Sequence, residues 1–216
     1  MLAVVWLIHA TILRSAANLL ILDERGEVEW LCVCDPDADR CFEQAAQWYH
    51  DGPSRRILLI SPPPNRLAQI GIRPSLEVLG VEALVARGVP RPAIHAIRSD
   101  WQEDWAIARV LDRWLAEHHD VTCGLLCQQF RSAHMRRVLE RVLGGEKVQR
   151  VRVRSLVDRR FNESNWWTSR CGNREFGFGC LLRFHSIFLG GSANRPSQEN
   201  AAEYEQRFLA GFGARE

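Results

Sequence analysis

Three groups of residues in this chain have the types and spacing to do chemistry. The first is the turn Gln128-Gln129-Phe130-Arg131-Ser132, which separates the apolar run 121–127 from a helix-patterned run. Arg131 and His134 fall on the first turn of that helix, where backbone N–H groups lack intrahelical acceptors and the dipole favours negative charge. With Gln128 they form a candidate seat for a phosphate or carboxylate. The competing reading pairs Arg131 with Glu140 or a loop acid. The second group, Glu103-Asp104, also opens a helix and can act as general acid and base in the same cleft, or can simply cap. The third, Asn165-Trp166-Trp167 with Arg170, can stack a base or sugar ring and hold its charge, or can pack at the domain edge.

These residues need a scaffold, and the hydrophobic pattern supplies one. Strands are expected at 29–34, 56–60, 92–98, 121–127 and 148–154; the fourth is apolar on both faces, and the last alternates imperfectly, as a strand nearer an edge would. Between them run one-stripe helices: Phe42, Ala45, Ala46 and Tyr49; a helix from Pro74 to Gly88; Trp101, Trp105, Ala108, Leu111 and Leu115; and Met135, Val138, Leu139, Val142 and Leu143. Such alternation predicts a three-layer α/β sandwich with a mostly parallel, Rossmann-like sheet of about five strands. Ligands of such sheets sit at the carboxyl ends of the strands. The cleft therefore gathers Asp35, Asp37 and Arg40; Asn65 and Arg66; Asp100 with Glu103 and Asp104; and Gln128, Arg131 and His134. The segment carrying Arg159, Asn165, Trp166 and Arg170 folds over it. Asp35, Asp37 and Asp39 have the composition of a divalent-cation site, but acids before a helix serve equally as caps, and no metal is expected.

Composition narrows the classes. The chain has 216 residues and 28 basic against 26 acidic side chains, so net charge gives no reason to expect a polyanion partner. Arg150, Arg152, Arg154, Arg159 and Arg160 approach a basic patch, yet neighbouring acids dilute it, and no nucleic acid is expected. Seven cysteines without a Cys-x-x-Cys read as small buried hydrophobes in a reduced chain. A Gly-x-Gly-x-x-Gly after the first strand and a Gly-x-Ser-x-Gly elbow are both absent, which disfavours a dinucleotide dehydrogenase and a serine hydrolase. Residues 1–22 read as an apolar helix that either packs on the domain or anchors it in a membrane, 23–190 as the α/β domain, and 191–216 as a polar tail with a helix near 198–209.

Several blocks resemble the YdcF/SanA/ElyC-like family of bacterial envelope proteins. These are Asp39 to Gly52 followed by Arg56 to Ile60; Ala86-Arg87-Gly88-Val89-Pro90 with Ile94; Glu103-Asp104, where the family has Glu-Asn; and Leu126 to Arg131, where it has a strand ending in Thr-Ser and a His-Met-x-Arg turn. The chain departs in carrying Arg131 for the turn His and His134 for the Arg, and in lacking glycines after the first two strands. The resemblance implies a Rossmann-like domain, often behind an N-terminal membrane helix at the inner membrane, linked to envelope or polysaccharide metabolism, with S-adenosylmethionine as a cofactor among members. The leading expectation is an envelope-associated protein, enzyme or not, that binds an anionic nucleotide-like or sugar-phosphate metabolite. The alternatives are a non-catalytic scaffold or regulatory partner of envelope machinery, and a cytoplasmic location.

Overall fold

A hydrophobic sheet buried on both faces organises the chain, because its central strands offer no polar side to water. The structure is a computed structural model that describes residues 2–34, 39–52, 54–99, 103–156 and 158–188. Five strands, β1 (Trp30–Val33), β2 (Arg56–Ser61), β3 (Ile94–Arg98), β4 (Cys123–Gln128) and β5 (Val151–Leu156), form one parallel sheet in the order β3-β2-β1-β4-β5. Val33 pairs with Leu59 on one side and Leu126 on the other, so β1 is central. The fold is thus the expected three-layer α/β sandwich of Rossmann-like type.

Alternate residues of each strand feed two cores. Trp30, Cys32, Leu58, Leu125 and Val153 face helices α5 (Asp104–Glu117) and α6 (Ser132–Leu143). Leu31, Val33, Ile57, Leu59 and Leu126 face α2 (Asp39–Asp51) and α4 (Leu76–Ala86). Gly80 of α4 lets that helix close on the sheet: a Cβ there would lie 2.9 Å from Leu59 Cδ2 and 3.0 Å from Phe42. Short helices α3 (Arg66–Gln69) and α7 (Gly145–Gln149) complete the connections. Val148, expected to open the last strand, belongs to α7, because a one-turn helix fits between Gly144 and the start of β5 at Val151. Five cysteines (Cys32, Cys34, Cys41, Cys123 and Cys127) are buried free thiols within these cores, as expected, whereas Cys171 is half-buried and Cys180 exposed because both lie on the C-terminal helix outside the sheet core.

Two further helices flank the sandwich. Helix α1 (Leu2–Asn18) and α8 (Arg170–Phe188) meet in a third cluster of Ala17, Leu20, Phe130, Phe161 and Trp166, with Leu13 and Phe176 packed against it. Among the described residues no helix is long and apolar enough to cross a membrane; Leu13, Ala17 and Leu20 pack on the domain. The expected helix at 198–209 lies outside the described residues.

Candidate functional site

The chain reaches β3 at one edge of the sheet and then returns through α5 to place β4 beside β1. The carboxyl ends of β1 and β4 therefore diverge into a crevice at the point where strand order reverses. A cavity of about 830 Å³ occupies that crevice. Its floor is Cys34 after β1 and Leu126, Cys127 and Gln128 at the end of β4; Ile107 of α5 and Met135 of α6 add apolar wall. Charged groups come in from four elements: Arg73 before α4, Glu103 and Asp104 at the start of α5, Arg131 before α6, and Arg174 and Glu175 of α8.

Asp104 is the electrostatic centre. Only 7% exposed, it accepts a hydrogen bond from Arg131 Nη2 at 2.6 Å on Oδ1, while His134 Nε2 lies 3.5 Å from Oδ2. The expected opposing partner for Arg131, Glu140, is held by Arg136 instead, and the loop acid is Asp104. Burial pushes the His134 imidazole below its ordinary value and outweighs the Asp104 carboxylate beside it, with Arg131 adding to the depression. The ring is neutral at pH 7, and its buried Nδ1 has no hydrogen-bond partner among the described residues. Because the pair uses Nη2 alone, the other donors of the Arg131 fork lack a partner among the described residues. The Phe178 ring lies under that guanidinium, 5.6 Å from its carbon. On the floor, burial and then the neighbouring Cys34 and Asp104 push the Cys127 thiol well up, so it stays protonated and weakly nucleophilic.

The helix-end seat takes a different form from the one the sequence suggests. The Ala133 N–H donates to the Leu20 carbonyl at 3.1 Å, and the Ser132 hydroxyl donates to Gln129 O and accepts from the Leu22 N–H. The segment after α1 thereby takes up groups at the α6 N-terminus, and the anion-seeking element left in the cavity is the arginine side chain.

Of the sequence-derived candidates, Glu103, Asp104, Asn65, Gln128 and Arg131 share the cavity wall. His134 stands behind Asp104. Glu103 is exposed and makes no capping bond, whereas Asn65 caps α3 through its Oδ1 to the Ala68 N–H at 3.0 Å. Arg66 is exposed on α3, outside the wall. Arg40 pairs with Asp158, and Arg159 with Glu43, so both tie the segment after β5 to α2 rather than line the cavity. Asn165 Oδ1 accepts from the Asn162 N–H, and Arg170 is exposed at the start of α8. Trp166 is only 6% exposed; it stacks on Phe176 at 3.7 Å and its Nε1–H donates to the Leu13 carbonyl. It fastens α1 to α8 and is absent from the cavity wall. Asp35, Asp37 and Asp100 lie outside the described residues, as does the Asp39 side chain. Among the described residues no cluster of three His, Cys, Asp or Glu is placed to hold a metal ion.

Sequence reasoning missed Arg73, Arg174, Glu175 and Phe178. Arg73 had a usable signal, since it precedes the Pro74-Ser75 start of a helix that follows a strand end. The α8 residues had none, because polar and apolar residues are scattered around that helix and show no periodicity to say which of them face a site. No family model, no curated protein and no solved structure matches the chain.

Proposed function

We propose that this protein binds a small anionic metabolite of the nucleotide or sugar-phosphate class in the crevice between β1 and β4. The observation that carries the reading is the Arg131 guanidinium in that cavity, oriented by buried Asp104 through one nitrogen and retaining further donors for an anion. Arg73, which has no ion-pair partner among the described residues, supplies a second cation at the rim. Glu103 can accept hydroxyl protons of a sugar, as acids at this crevice do in nucleotide-binding sheets. The ring-holding role expected of Trp166 passes to Phe178, with Leu76 and Ile107 as the apolar sheath. S-adenosylmethionine, the cofactor that the YdcF-like resemblance implies, would offer a carboxylate to Arg131 and a ribose to Glu103, but its ammonium and sulfonium make it a net cation and set it apart from the phosphates of this class. If the bound metabolite reacts, Glu103 is the carboxylate placed to exchange protons with it, because Asp104 is already engaged. Kinship with the YdcF-like proteins and an envelope setting with residues 1–22 at the inner membrane draw their support from the motifs of 29–154 and the apolar run 2–13.

The test is a thermal-shift and calorimetric panel of nucleotide sugars, sugar phosphates and S-adenosylmethionine. A true ligand at a hundred times its Kd contributes about 2.7 kcal/mol, which raises Tm by roughly 5–10 °C in a chain of this size. Arg73→Gln, on an exposed side chain, should weaken that ligand without lowering the unliganded Tm. No shift with any compound of the panel refutes the reading.

A further inference from the structure

Helix α8 mixes polar and apolar residues around its circumference and is covered on one side, yet large apolar side chains lie on the other. Phe176 and Gly179 turn inward to Phe130 and Trp166, and Ser186 is buried, its carbonyl accepting from Arg141. On the outward side Leu181, Phe184 and Ile187 stand three residues apart and remain 68%, 57% and 49% exposed, with Phe178 one turn earlier at 46%. Side chains of this size, winding across the outward side of one helix, mark an interaction surface.

The charge beside the row says what it meets. Arg183 lies one turn before Ile187, at the border of the same stripe; its half-buried guanidinium donates from Nη1 to the Ala133 carbonyl of α6 at 3.5 Å, one turn from Arg137, and burial with that neighbouring charge holds it below the ordinary value. Two like charges are thus set close together, and neither has a carboxylate partner among the described residues. The flanking acids Glu140 and Glu175 are already held by Arg136 and Arg174. An isologous dimer through this face would bring two such arginine pairs into one interface with no acid to offset them. A surface dense in phosphate does the reverse.

We propose that the outward face of α8 docks on an anionic lipid bilayer, the helix lying in the interfacial plane with Leu181, Phe184 and Ile187 among the upper acyl chains and Arg137 and Arg183 against headgroup phosphates. This inference is independent of what the cavity holds and of any insertion by α1. Its consequence is positional: Phe178 belongs both to the row and to the cavity wall, so docking sets the cavity mouth at the bilayer surface.

The experiment is co-sedimentation of the full chain with vesicles of phosphatidylcholine alone or mixed equally with phosphatidylglycerol, at low and high salt. Binding is expected on the mixed vesicles and should weaken as salt rises. Arg137→Gln and Arg183→Gln should each weaken it about fivefold, and the pair Leu181→Glu with Ile187→Glu more than about tenfold, with unchanged circular dichroism because Leu181 and Ile187 are exposed and glutamine keeps part of the aliphatic stem of each half-buried arginine. The proposal is overturned if the chain ignores anionic vesicles, binds neutral ones equally, or binds undiminished in the α8 variants. It is also overturned if the glutamate pair converts a dimer to a monomer in sedimentation velocity without affecting pelleting.

Discussion

Replacing Arg131 by Met tests the electrostatic centre directly, because Met keeps the aliphatic length and removes only the charge and the donors. The Arg131 side chain is 30% exposed and that of Asp104 is 8% exposed, so the pair lies between two limits. A solvated surface pair contributes about 0.2–1 kcal/mol, and stripping one partner from a fully buried pair costs about 3–5 kcal/mol. The half-open geometry sets the expected loss at about 2–3 kcal/mol, or roughly 5–10 °C in Tm. The cause is a buried carboxylate left with His134 alone at 3.5 Å. Arg131→Met with Asp104→Asn should therefore recover about half of the loss, which a double-mutant cycle reads as coupling. A second readout follows from His134: Arg131 helps to depress its pKa, so removing that charge should raise the value followed by imidazole NMR. If Arg131→Met stays within about 0.5 kcal/mol of the parent, the cycle is additive and the imidazole titration does not move, then Asp104 is solvated and the anion clamp built on it fails.

Two further outcomes follow from contacts away from the cavity. Gly179→Ala would place a Cβ 2.5 Å from the Phe130 carbonyl oxygen and 3.2 Å from Leu20 Cδ1, so despite alanine's better helix propensity it should cost about 1–3 kcal/mol in a denaturant melt; a stabilised variant would show that α8 does not dock as described. Burial alone would raise the Asp158 carboxyl, but hydrogen bonds from Arg160 and Arg40 overturn that and hold it at about 2, against an ordinary value of 3.8. Its folded pKa is depressed, so its contribution is present above pH 4 and lost as pH falls toward 2; Asp158→Asn should flatten the stability-against-pH curve in that window and leave the slope above it unchanged.

How much could be read in advance follows from which signals are local. The three central strands were legible because Leu31, Val33, Leu58 and Leu125 belong to apolar runs, and the helices that follow β1 and β4 each carry one stripe. Asp104 and Arg131 were legible as site residues for the same reason, since strand and helix junctions mark the carboxyl rim of a parallel sheet. The direction of the pairing between them was not, because Asp104 and Arg131 are 27 positions apart and only the crossover from the β3 edge to β4 brings them together. Trp166 misled for a chemical reason. An Asn-Trp-Trp-Arg cluster suits ring binding, but a tryptophan whose Nε1–H finds a backbone carbonyl is satisfied in a core, and the Leu13 carbonyl that serves it is 153 residues away.

That same tryptophan explains why a site built on the sheet depends on helices outside it. The doubly wound core supplies the floor and the Asp104–Arg131 pair, but the cavity closes only when α8 brings Arg174, Glu175 and Phe178 across it. Among the described residues, the main contacts of α8 are with α6 and the turns at 129–131 and 166–168 rather than with the sheet. Its position is set where Gly179 meets Phe130, the residue just before Arg131, and where Phe176 stacks on Trp166, which is fastened to α1. Leu20, in the turn after α1, touches the same glycine and takes the Ala133 N–H at the head of α6. One cluster therefore fixes the lid helix, the N-terminal helix and the turn that carries Arg131, so a ligand gripped by Arg131 and Phe178 is coupled through about two residues of packing to the face that α8 presents outward.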